Sequence, residues 1–171
     1  MRNKLMMLIG MGYTAVIWGT AIFVIYMLII NLYKNHKKKS IPNRIMEWAY
    51  IVYIMLVLNI TGITTIQELK FEWFTNSIKN IEVTIPENFS SLMMIAFNII
   101  MFIPFGLLTP WMWEKMNIKK TAVIAIIFTI AIELIQGFSG RFVELNDVLA
   151  NTLGAIIGII LYLIVRKIKK C

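Results

Sequence analysis

Charge is scarce in this chain of 171 residues: 15% are charged, against 59% hydrophobic. Soluble domains carry charge on about a quarter of their residues, so this deficit, with a mean hydropathy of +0.76, excludes an ordinary water-soluble domain. Cysteine occurs once, at Cys171, which excludes an internal disulfide. The single histidine, His36, stands in a lysine-rich stretch with no second metal ligand nearby. No serine–histidine or cysteine–histidine pair is therefore available for nucleophilic catalysis inside an apolar stretch. Internal repeats are also lacking, which weighs against an alternating-access transporter. The chain reads as one membrane domain, 1–171.

What is present is apolar length. The charges leave charge-free stretches at residues 5–33, 48–67, 88–113, 121–132 and 148–165. A helix rising ~1.5 Å per residue needs about 20 residues to cross a hydrocarbon core of about 30 Å. All but the fourth reach about that length, and the fourth would run on to residue 140 but for Glu133. None has the polar face of a soluble core helix. The expected fold is all-α, a polytopic transmembrane bundle of about five spans, near 5–33, 46–66, 91–113, 121–138 and 147–165. Arg2 and Lys4 before the first run resemble a secretory signal, but a signal's apolar region is about 7–15 residues. This one is longer and reads as a retained helix.

Orientation follows from the 17 basic residues. With five spans, residues 34–44, 114–120 and the tail after 165 share one side and hold twelve of them. Arg2, Lys4, Lys70, Lys79 and Arg141 fall on the other. The positive-inside rule then expects the N-terminus outside and the C-terminus inside. The net charge of +8 needs no nucleic-acid partner, since basic clusters beside membrane spans also attract anionic lipid. Beyond the second span, residues 67–87 alternate polar and apolar residues. Phe71, Trp73 and Phe74 suit an interfacial anchor, and 81–85 has the period of a short strand closed by Pro86.

The informative residues are polar ones in the last three spans. Asn98 lies in the third, Glu133 and Gln136 in the fourth, Asp147 and Asn151 in the fifth, with Arg141 and Glu144 in the turn between the last two. Glu133 and Gln136 share a helix face, as do Asp147 and Asn151. Helical rise puts Glu133 ~18 Å along its helix from Thr121, and Asn98 and Asn151 roughly 6–12 Å below the outer surface. All fall in the outer half of the bilayer. A carboxylate at lipid depth costs about 2.5–3.5 kcal/mol on insertion scales and usually marks function. A structural reading competes: Glu133 paired with Arg141, Asp147 capping its helix, and the amides tying helices together. Gly154 and Gly158 form a GxxxG pattern suited to close helix packing, with a homo-oligomer through the same glycines as a possible partner contact. Pro104 interrupts the hydrogen-bond ladder of the third span.

These motifs, Asn98 with Phe102-Ile103-Pro104-Phe105-Gly106, then Glu133-Leu134-Ile135-Gln136, then Arg141, Asp147-Val148 and Asn151-Thr152-Leu153-Gly154, closely resemble the VanZ-like family over roughly residues 45–165. The resemblance implies a multi-pass protein of the bacterial cell membrane, of the kind whose namesake gives low-level resistance to the glycopeptide teicoplanin. It implies Asn98, Glu133, Gln136, Arg141, Asp147 and Asn151 as ligand-binding residues. It carries over no reaction, so the catalytic residue stays unknown, and no cofactor or resident metal is expected. Three functions fit. The protein binds or alters a lipid-anchored envelope component from the outer leaflet; or it is a membrane-embedded enzyme on a lipid-linked precursor, with Glu133 as acid or base and Arg141 holding an anionic group; or it is a small permease or accessory subunit. The carboxylates Glu133, Glu144 and Asp147 are the one set that a metal-dependent variant of the enzyme could use.

Overall fold

A computed structural model describes residues 2–32, 40–81, 86, 88–113 and 116–168. Among the described residues it is all-helical, with six α-helices: α1 (Arg2–Leu32), α2 (Ile41–Ile60), α3 (Phe71–Lys79), α4 (Phe89–Met112), α5 (Ile118–Phe138) and α6 (Leu145–Ile168). All but α3 are long and apolar enough to cross a membrane. The second span starts earlier than its charge pattern suggests. Pro42 falls in its first turn, where a missing N–H costs nothing, so the helix runs through Arg44 and Glu47. It stops at Gly62, whose φ of 78° is open to glycine and strained for other residues. His36, the strand expected at 81–85 and Cys171 lie wholly or mostly outside the described residues.

The chain forms two compact units, 1–65 and 66–171. The first is a hairpin of α1 and α2. Gly19 lets α1 approach Val52, because a Cβ there would stand 2.8 Å from the Val52 Cα. Polar links occur at three levels. The Trp48 indole N–H donates to Thr20 Oγ1 at 3.0 Å. The Tyr26 hydroxyl donates at 3.3 Å to Glu47, which also takes Arg44 at 2.8 Å. Asn59 donates to the Met11 carbonyl and to Thr14 Oγ1, and accepts from Thr64. Hydrogen bonds between membrane helices average about 0.6 kcal/mol and reach about 1.7. Replacing Asn59 with alanine removes two of them together with the local bond from Thr64 and should lower unfolding stability by about 1–2 kcal/mol. The thermal midpoint of the protein in detergent reads this, and an unchanged midpoint would show that Asn59 does not fasten the hairpin.

In the second unit α4 and α6 run side by side, sharing the broadest helix–helix interface. Gly154 and Gly158 sit directly on the backbone of α4, where a Cβ would collide with the Ile99 and Ile103 carbonyl oxygens. Gly106 of α4 meets the Ala155 carbonyl in the same way. The glycine stripe is thus consumed within the chain, and a homo-oligomer through it would have to displace α4. On the other side of α4, Phe105 stacks on Phe128 of α5 with centroids 5.4 Å apart and planes at 13°.

Helix ends follow local chemistry. Asn88 and Ser91 form a reciprocal capping box at α4, and the Asn117 side chain accepts the Lys120 N–H at α5. Arg166 and Lys167 occupy the last turn of α6, complementing the negative end of its dipole.

Candidate functional site

The turn between α5 and α6 organises the site. A helix end in a membrane must satisfy its last four carbonyls, since each one left unpaired in hydrocarbon costs several kcal/mol. Here the Ser139 N–H serves Ile135 and Gln136, and the Gly140 N–H serves Gly137. The Arg141 N–H donates to the Gln136 carbonyl at 3.1 Å, and the Lys70 N–H donates to the Phe138 carbonyl at 2.9 Å. Gly140 holds φ +87° and backs onto the Trp73 ring. No residue other than glycine fits easily there.

Residues 71–79, expected as part of a polar loop, are instead the short helix α3, and it braces this turn. Phe71, Phe74 and Ile78 recur at spacings of three and four, a helical period. Phe74 stacks on Phe138 with centroids 4.0 Å apart. The Ser77 hydroxyl donates to the Arg141 carbonyl at 2.8 Å. Lys70 Nζ lies 4.5 Å above the Trp73 ring. The aromatic run therefore works first as packing against α5, while Phe71 stays exposed.

The polar span residues pair across helices. Asn98 Nδ2 donates to Asp147 Oδ1 at 2.7 Å, joining α4 to α6. Glu133, 3% exposed, accepts the Glu144 backbone N–H on Oε2 at 3.0 Å. This bond fixes the start of α6 against α5. One turn deeper, Asn151 Nδ2 donates to Thr129 Oγ1 at 2.9 Å, with both residues fully enclosed. Asn151 Oδ1 is buried without a hydrogen-bond partner. An orphaned acceptor of this kind costs about 1–3 kcal/mol, which sets it apart from an ordinary structural amide. Gln136 is buried beside Glu133 and, through its backbone carbonyl, holds Arg141 in place.

A cavity of about 260 Å³ opens between the first turns of α4 and α6 and the turn. Ser91, Glu144, Asn146 and Asp147 supply its polar lining, and Met94, Ile95 and Phe142 much of its apolar wall. Of the six site residues expected from sequence, Asp147 lines this cavity directly. Asn98 reaches it through Asp147, and Glu133 through the N–H of Glu144. Gln136 and Arg141 shape the turn behind it. Asn151 pairs with Thr129 below and does not line it. Ser91, Glu144 and Asn146 are polar lining residues outside the expected six, Glu144 having entered only as one of three carboxylates open to a metal. Ser91 was hidden by its role in a helix cap, and Thr129 by the frequency of threonine in apolar helices. Among the described residues no three histidine, cysteine or acidic side chains gather into a group that could hold a metal.

Five membrane-length helices define a polytopic membrane protein, and within the second unit polar pairs pin α4, α5 and α6 together at one end. The VanZ/LLP1 family model matches residues 13–166, nearly the whole chain, and the chain belongs to that family. The match takes in most of α1, beyond the 45–165 stretch that carries the motifs. No curated protein and no solved structure matches.

Proposed function

We propose that this VanZ-family protein sits in the bacterial cell membrane and gives low-level teicoplanin resistance, by binding or altering a lipid-anchored envelope component at the outer leaflet. The observation that supports this best is the cavity at the α5–α6 turn, with Asp147 and Glu144 in its wall and Glu133 and Asn98 directly behind. The basic residues Lys119, Lys120, Arg166 and Lys167 lie at the opposite helix ends, and cytoplasmic basic residues would place the cavity outside. Expression in a teicoplanin-susceptible bacterium should raise the inhibitory concentration modestly. An unchanged value at verified membrane abundance would sink the proposal.

The orientation has its own test. With Cys171 replaced by serine, single cysteines at Ser40 and Asn76, both exposed, report the two sides of the membrane. An impermeant thiol reagent applied to intact cells should label the Asn76 position and spare the Ser40 position. The reverse pattern would place the cavity in the cytoplasm.

A further inference from the structure

We propose that the cavity at the α5–α6 turn takes a primary ammonium group carried on an apolar chain. The proposal rests on the reading of this end as a ligand site and names the chemistry of what enters.

The charge in the cavity wall has one sign. Glu144 and Asp147 both line it, and among the described residues no basic side chain does. Asp147 spends Oδ1 on Asn98 at 2.7 Å, which leaves Oδ2 able to accept. Among the described residues neither carboxylate makes an ion pair. Two helix N-termini, of α4 and α6, also face this end, each worth about half a positive charge. Behind the wall the charges of Glu133 and Arg141 both reach Asp147's surroundings and offset one another, so the two lining carboxylates outweigh the helix ends by roughly one negative charge on that arithmetic. The cavity is therefore matched to a cation, and a phosphate or carboxylate head group would face two carboxylates with no arginine or lysine among the described lining residues to receive it.

The geometry selects among cations. Quaternary ammonium groups are held by cages of several aromatic faces, and among the described residues Phe142 is the one aromatic side chain in this wall. A primary ammonium offers three N–H donors, and the wall offers acceptors on Glu144, Asp147 and Ser91. Charge-assisted bonds of this type are the strong ones. The volume of about 260 Å³ is below the ~300–1,000 Å³ of pockets that enclose whole drug-sized ligands. It suits a head group whose chain continues along Met94 toward the lipid-facing side of α4, where Met94 and Phe97 are exposed.

The test uses the full chain in neutral detergent and three probes of equal chain length: n-octylammonium, octyltrimethylammonium and octyl phosphate. Octylammonium should raise the thermal midpoint saturably, octyltrimethylammonium less, and octyl phosphate not at all. Glu144 has an exposed side chain, so Glu144→Gln should leave the ligand-free midpoint unchanged. It should weaken octylammonium about tenfold, the equivalent of one such bond at about 1.4 kcal/mol. Glu144→Lys should turn the preference toward octyl phosphate. Stabilisation of the unaltered protein by octyl phosphate as large as that by octylammonium would overturn the proposal. So would octylammonium affinity indifferent to Glu144→Gln, or no saturable effect. A protein that takes octylammonium yet gives no teicoplanin protection would overturn the function proposed above and leave this inference standing. Protection without octylammonium binding would do the opposite.

Discussion

Replacing Gly154 with leucine is expected to leave little or no folded protein in the membrane. A Cβ at Gly154 would collide with the Ile99 carbonyl of α4, and backbone cannot rotate aside as a side chain can. Overpacking that neighbouring side chains absorb costs about 1–3 kcal/mol. Here α4 itself must withdraw, which would also stretch the Asn98–Asp147 bond and expose Gly158 and Gly106 to unfilled space. The loss should approach the total stability of a typical domain, about 5–15 kcal/mol. Gly154→Ala should give a partial loss. Gly10 and Gly12 provide the contrast, since an added Cβ there meets nothing within 4 Å, and their alanine variants should accumulate normally. Quantitative membrane abundance with detergent-resistant folding reads all four. A fully folded Gly154→Leu protein would mean that α4 and α6 are not packed this closely.

The second large effect is functional. Glu133→Gln keeps an oxygen that can accept the Glu144 N–H, so the start of α6 should stay fastened and abundance should hold. The negative charge behind the cavity disappears. If that charge grips or works on the ligand, teicoplanin protection should be abolished at unchanged abundance. A merely structural carboxylate gives a different pattern: breaking a buried polar arrangement costs several kcal/mol, so folded protein should fall and the remainder should stay active. Glu133→Ala combined with Arg141→Ala tells whether the two charges are coupled. It should recover abundance relative to Glu133→Ala alone without recovering protection. A Glu133→Gln protein that is abundant and fully protective would remove Glu133 from the site.

The five spans were legible because hydrocarbon thickness converts directly into a run of uncharged residues, and the glycine stripe because small residues four apart have one common use in membrane helices. The start of the second span was misjudged by that same rule. Arg44 and Glu47 neutralise one another at 2.8 Å, so the helix continues through charges that ended the uncharged run. α3 escaped notice because nine residues are too few for periodicity to stand out against alternation. Its purpose lies in contacts with Phe138 and Arg141, more than sixty positions along the chain. The six site residues could be found singly, as polar atoms at lipid depth. Their pairings could not, because Asn98 with Asp147 and Asn151 with Thr129 depend on how three helices rotate about their axes. Glu144 stood out in the sequence only as a third carboxylate beside Glu133 and Asp147, and the cavity is what gives it a place in the wall.

A photoreactive residue at the cavity wall tests the ligand reading most directly. Phe142 lines the cavity and is 66% exposed, so benzoylphenylalanine there should be tolerated and should reach whatever occupies the site. Ile156, exposed on α6 away from the cavity, serves as the lipid-facing control. After irradiation of living cells and mass analysis of the purified protein, the 142 position should carry a lipid-linked envelope component that the 156 position lacks. Identical spectra of bulk phospholipid adducts at both positions would contradict a ligand site at this end of the bundle.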